Sequence, residues 1–305
     1  MLRKLLYAVA LILVAGGVFW LVTEPERLDA ATLAGLRPGD PERGERIFQI
    51  GGCASCHARR GAKGAAELEL AGGLALETSF GTFVAPNISP DPEHGIGTWE
   101  EADFINAVMR GVSPEGEHYY PAFPYTSYAR MEPQDVADLF AYLKTLPPVA
   151  ENAAAHTLSF PFTLRRGLGL WKRLYLSEEP VISFATGAPE EVLRGRYLVE
   201  GAGHCGECHT PRSFIGGLKD DRWLAGAPAL EREGTVPNIT PSRDGLGSWS
   251  PADIVYYFET GFTPDFDSVG GTMAAVQENL AKLPAEDREA IAAYLKAVPE
   301  VGKSE

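Results

Sequence analysis

Two short strings carry the chemistry of this chain. Cys53-Ala54-Ser55-Cys56-His57 and Cys205-Gly206-Glu207-Cys208-His209 each place two thiols three residues apart with a histidine directly behind. Two thiols at that spacing can reach two vinyl groups on one edge of a porphyrin, and the adjacent histidine then supplies a nitrogen to the iron. A C-x-x-C-H string therefore predicts covalent haem attachment. The chain has 4 cysteines in all, so nothing is left for structural disulfides. Other readings of the pairs fit less well. A redox dithiol of the thioredoxin kind expects a βαβ surround, and the pattern here is not of that kind. A single four-cysteine zinc site would leave His57 and His209 without a task.

A haem iron that cycles between oxidation states with a closed coordination sphere needs a sixth ligand, and methionine there raises the potential. Of the 4 methionines, Met273 alone lies in the second half, within Gly270-Gly271-Thr272-Met273-Ala274, which reads as a loop. It is the expected ligand of the second iron. For the first iron the expected ligand is Met131, just before a predicted helix. An open position, His118 and Met109 are the alternatives. Arg212 is placed to meet a haem propionate or to stand in solvent. Asn87 and Asn238 precede prolines in turns and should cap backbone there.

The elements that must position these residues recur. Pro86-Asn87-Ile88-Ser89-Pro90 returns as Pro237-Asn238-Ile239-Thr240-Pro241, Gly95-Ile96-Gly97-Thr98-Trp99 as Gly245-Leu246-Gly247-Ser248-Trp249, and Ala141-Tyr142-Leu143 as Ala293-Tyr294-Leu295, all offset by 150–152 residues. Ordered landmarks at a near-constant offset indicate a duplicated unit. Each unit predicts a helix before the cysteines (Pro41 to Ile50; Pro189 to Glu200), one after the tryptophan (Glu100 to Met109; Pro251 to Thr260) and a last helix (Pro133 to Leu146; Ala285 to Val298). Ser250-Pro251 reads as N-cap and first helical residue; Gly111 and Gly261 read as stops. Val136, Leu139, Phe140 and Leu143 share one helical face, as do Ile291, Tyr294, Leu295 and Val298. Almost nothing reads as a strand. The expected architecture is all-α: residues 31–150 and 188–305 as two loop-rich helical domains, each around one covalent haem, with 151–187 as linker. Leu170 to Tyr175 in that linker should pack across both domains, or else form a short helix near a membrane. The tail after Pro299 reads as frayed.

Residues 1–30 read as a membrane anchor. Arg3 and Lys4 precede an uncharged run from Leu5 to Val22, which as a helix rises about 27 Å against a hydrocarbon core of about 30 Å. The leading positive charge keeps the amino end in the cytoplasm and exports the rest, placing the haem domains on the periplasmic side of the inner membrane. A cleaved signal peptide is the rival. The formal net charge of −14 disfavours nonspecific nucleic-acid binding and suits a partner with a basic surface.

Taken together, the C-x-x-C-H sites, the Pro-Asn-Ile-Ser/Thr-Pro turn, the Gly-Ile/Leu-Gly-x-Trp segment, Tyr120-Pro121-Ala122-Phe123-Pro124-Tyr125 and the helix ending in Ala-Tyr-Leu resemble the membrane-associated multihaem cytochrome c subunits of bacterial periplasmic alcohol and gluconate dehydrogenases. The resemblance spans about residues 40–150 and 188–298. It implies covalent haem c and electron transfer from a periplasmic dehydrogenase towards quinone or a membrane oxidase; related members often have three haem domains, where this chain has two attachment strings. Where some members carry the methionine ligand in Pro-Ala-Met-Pro, this chain has Phe123. Members with Phe there resemble it in having a methionine shortly before the last helix, as Met131 is. A two-haem redox enzyme of peroxidase or thiosulfate-oxidising type, using an open first iron, is the competing expectation.

Overall fold

The computed structural model describes residues 1–229 and 234–302. It opens with α1 (Leu2–Val22), 21 residues without a single buried side chain. A helix this apolar and this bare is long enough to cross a bilayer. After α2 (Ala30–Ala34) come α3 (Pro41–Ile50) and α4 (Cys53–His57), which holds the first cysteine pair. The hairpin β1 (Ala75–Thr78) and β2 (Gly81–Val84) is followed by α5 (Glu101–Arg110), α6 (Tyr125–Tyr128) and α7 (Pro133–Leu143). Then come β3 (Thr157–Leu158) and α8 (Leu168–Tyr175). The second set consists of α9 (Glu190–Tyr197), α10 (Gly206–His209), β4 (Ala227–Pro228), β5 (Thr235–Val236), α11 (Pro251–Thr260), α12 (Met273–Leu280) and α13 (Ala285–Ala297).

The helices start and stop where local chemistry dictates. Ser250 Oγ accepts the Asp253 amide at 3.2 Å, and Asp253 bonds back to the Ser250 amide, closing a capping box with Pro251 behind it. Gly111 and Gly261 end α5 and α11 in the left-handed region, at φ 58° and 76°, a conformation that glycine adopts without cost. The faces expected on α7 and α13 are buried: Val136, Leu139, Phe140 and Leu143, and Ile291, Tyr294, Leu295 and Val298. α3 crosses α7, and α9 crosses α13, at glycines. A Cβ on Gly44 would collide with the Asp138 carbonyl oxygen, and one on Gly195 with that of Ala290. Beside each crossing an arginine reaches a buried carboxylate: Arg43 Nε to Asp138 at 2.7 Å, Arg194 Nε to Asp287 at 2.9 Å.

Three local expectations change. Short strands are present: β1, β2 and β3 form one antiparallel sheet, and β4 pairs with β5. Met273 stands at the first residue of α12 and not in a loop. The Met-Ala-Ala-Val-Gln-Glu-Asn-Leu run holds mostly good helix formers, and the glycines before it masked the start. α9 runs only to Tyr197 and continues through a wider turn to Ala202. Residues 303–305, the end of the tail expected to fray, lie outside the described residues.

α8 joins three parts of the molecule. Trp171 Nε1 donates to Ile215 O at 2.9 Å in the second half. Lys172 Nζ donates to Arg110 O and Gly111 O at the end of α5, at 2.5 and 2.7 Å. Arg173 Nε reaches Val22 O at 2.7 Å, at the end of α1. The first reading of this segment thus holds, since it packs across the two halves, and it also lies beside the end of the apolar helix.

Candidate haem sites

Each C-x-x-C-H string closes a helical turn. Gly52, at φ 56°, turns the chain into α4, while Cys205 sits immediately ahead of α10. None of the four cysteines is in a disulfide. Burial pushes the Cys53 thiol up to about 12, with Cys56 adding to it, and the Cys205 thiol up to about 12, with Cys208 adding. Both nevertheless keep some accessible surface. Raised in this way, both stay protonated thiols.

The histidines are held alike. His57 Nδ1 meets Pro86 O at 2.8 Å and His209 Nδ1 meets Pro237 O at 2.8 Å. A carbonyl oxygen only accepts, so Nδ1 carries the proton and Nε2 presents its lone pair. Burial lowers the pKa of both rings, though the proline carbonyls pull the other way, which favours the neutral, ligating form. The turn behind each proline is locked in turn. Asn87 Oδ1 accepts the Ser89 amide at 2.8 Å and its Nδ2 donates to Val149 O; Asn238 Oδ1 accepts the Thr240 amide at 2.8 Å and its Nδ2 donates to Val301 O. Besides capping the turn, each asparagine ties the chain beyond the last helix to the loop that aims the histidine. The amides of Gly72 and Gly226 complete the match by donating to His57 O and His209 O at 2.7 and 2.8 Å. A thiol pair and a histidine with a free, correctly assigned nitrogen, present twice, fit two covalently held haems.

Met131 is 5% exposed, next to the start of α7. A Cβ on Gly201 would lie 3.3 Å from its Cγ, so it touches the segment leading to the second cysteine pair. Three residues before it, Tyr128 has a pKa raised chiefly by burial and then by Cys53 and Cys56, which places its hydroxyl near the first thiols. Met273 is partly buried against the core. Met109 is 3% exposed inside α5. His118 is turned elsewhere: its Nε2 donates to Thr23 O at 2.9 Å, beside α1.

The two attachment strings adjoin, and each is braced by the other half. Thr126 and Ser127 of α6 donate to Glu207 Oε1, at 2.8 and 3.0 Å, between Cys205 and Cys208. Reciprocally, Asn279 of α12 donates to Ser55 Oγ at 3.2 Å, between Cys53 and Cys56. His204 Nε2 meets Gly51 O at 3.1 Å, directly joining the residues ahead of each pair. Arg212 does not stand loose in solvent: it donates to Glu207 Oε2 at 2.5 Å and to Gly216 O at 2.8 Å. Burial opposes the Glu207 charge, but Arg212 and the Thr126 hydroxyl outweigh it and hold the carboxyl below the usual range.

Residues 41–147 match the cytochrome c family. A diheme cytochrome c-type protein of Cereibacter sphaeroides is 56% identical over 301 residues, covering 99% of this chain and 100% of the relative. The chain belongs to the diheme c-type cytochromes. Further relatives are the fructose dehydrogenase cytochrome subunit of Gluconobacter japonicus, 37% identical over 86% of this chain, and the gluconate 2-dehydrogenase cytochrome c subunit of Pantoea cypripedii, 36% identical over 89%. This cytochrome spans only 53% and 63% of the length of those two subunits.

Several supports of these sites carry no signal in the sequence. In this cytochrome Trp223 covers Gly206, where a Cβ would strike its ring, and its Nε1 donates to Tyr294 OH at 3.0 Å. Tyr294 donates to the buried Glu200 at 2.6 Å, and Glu200 also accepts the Val181 and Ile182 amides. Only Tyr294 belonged to a repeated landmark; its partners come from unrelated points of the chain.

Proposed function

We propose that this cytochrome is a two-haem electron relay built from tandem cytochrome c domains, residues 31–150 and 188–305, with 151–187 between them. Residues 1–30 hold it to the inner membrane with the haem domains in the periplasm. Cys53 and Cys56 would hold the first haem c, with His57 and Met131 offered to its iron. Cys205 and Cys208 would hold the second, with His209 and Met273. Each haem supplies one electron's worth of storage by alternating ferric and ferrous iron. The polypeptide orients each histidine through its proline carbonyl and presses the two attachment strings together.

The reciprocal bracing is the observation that carries this reading. Ser55 and Glu207, the residues inside the two thiol pairs, are each gripped by the opposite half. A relay needs its two carriers close and rigid, and a pair of independent domains would have no reason for such contacts. That Thr23 engages His118 supports Met131 as the first iron's ligand. The donor in this proposal is a periplasmic dehydrogenase, as the names of the relatives suggest, and the acceptor is a membrane oxidase or quinone-linked enzyme. A redox titration followed by optical and paramagnetic spectra tests the relay. Two one-electron steps and two low-spin ferric haems inert to cyanide are expected. Rapid cyanide binding at one haem would instead support the peroxidase or thiosulfate-oxidising alternative.

A further inference from the structure

We propose that residues 160–174 form a shelf that rests on the surface of the lipid bilayer around the exit of α1. The inference rests on α1 being retained as an anchor. The segment is exposed and apolar: Phe160 is 80% accessible, Leu164 60%, Leu170 44% and Leu174 70%. In α8, Gly169 and Lys172 face inward, while Leu170 and Leu174, four residues apart, share the outward face. Exposed apolar side chains gathered in one stretch mark an interaction site rather than an ordinary surface.

The position of the shelf identifies its occupant. Arg166 Nη2 donates to Trp20 O at 2.5 Å and its Nε to Thr23 Oγ1 at 3.0 Å; Arg173 Nε donates to Val22 O at 2.7 Å. The backbone of Gly169 lies against Thr23, where a Cβ would come within 2.6 Å of its Cα. Side chains clamped to the last turn of a spanning helix stand at the level where hydrocarbon gives way to headgroups. Trp20, stacked under the Arg166 guanidinium at 4.1 Å, is the aromatic residue favoured at that level. Arg173 is shared with Glu26, and Arg165 with Glu117. The main attraction is therefore insertion of Leu170, Leu174 and their neighbours, as for an interfacial amphipathic helix. A shelf beside the stem prevents the haem domains from swivelling about α1.

Linear dichroism of the Soret band tests this with full-length holoprotein in oriented phosphatidylcholine–phosphatidylglycerol bilayers, once its intact mass has been measured. The wild type is expected to be dichroic. Leu170→Glu with Leu174→Glu should abolish most of the dichroism while leaving the Soret spectrum and thermal midpoint unchanged. Phe266→Glu, at a residue as exposed as Phe160 but outside the segment, should leave the dichroism intact. An isotropic full-length wild type, or dichroism indifferent to the double substitution, overturns the shelf. A purified chain already shortened by α1 overturns the anchor reading, and this proposal with it.

Discussion

At the residue scale, the two C-x-x-C-H strings were legible because thiol spacing is a local property. What aims them was not. The repeated Pro-Asn pair reads as a turn, and it is one, but its main work is done by the Pro86 and Pro237 carbonyls, 29 and 28 residues from the rings they meet. Glu207 reads as an arbitrary residue between two cysteines, yet it collects Arg212, Thr126 and Ser127. Lys172 is another such case: buried at the end of α5, its ammonium is shielded from water and lies near Arg110, which lowers its pKa from 10.5 to about 7. The unfolded chain therefore binds a proton that the folded one releases between those values, and stability rises with pH across that window. Thermal midpoints of the wild type and Lys172→Met, compared from pH 7 to pH 10, check this. The wild type should gain on the variant as pH rises; parallel curves would refute the shifted lysine.

At the element scale, caps and apolar faces located most helices to within a few residues, since Ser250-Pro251, Gly111 and Gly261 are signals read over one turn. α6, α12 and the short strands escaped. α6 has four residues and no periodicity to read, and β3 exists only because Thr157 and Leu158 return to pair with Thr82 and Gly81. The helix crossings were equally hidden, because a glycine within a helix ordinarily signals nothing but weakness. Here the two effects have opposite signs. Gly44→Ala gains about 1 kcal/mol in helix propensity but forces α3 off α7, and overpacking costs about 1–3 kcal/mol or more. Urea denaturation should find Gly44→Ala and Gly195→Ala both destabilised; a stabilised variant would show that the helices do not touch at these glycines.

At the scale of the whole molecule, the repeated landmarks at near-constant offset were plain, but not the way the two halves meet. Contacts such as Asn279 with Ser55, 224 residues apart, leave no trace in either copy alone. They make the seam between the halves the centre of the molecule, with both attachment strings on it. α8 then fixes that assembly to the end of α1. The account stands on two haems, one bound by each cysteine pair. Intact-mass measurement of matured protein counts them directly, for the wild type and for Cys53→Ala/Cys56→Ala and Cys205→Ala/Cys208→Ala. The predicted counts are two covalent haems in the wild type and one in each variant. A wild type carrying fewer than two, or a variant that keeps both, would contradict the account.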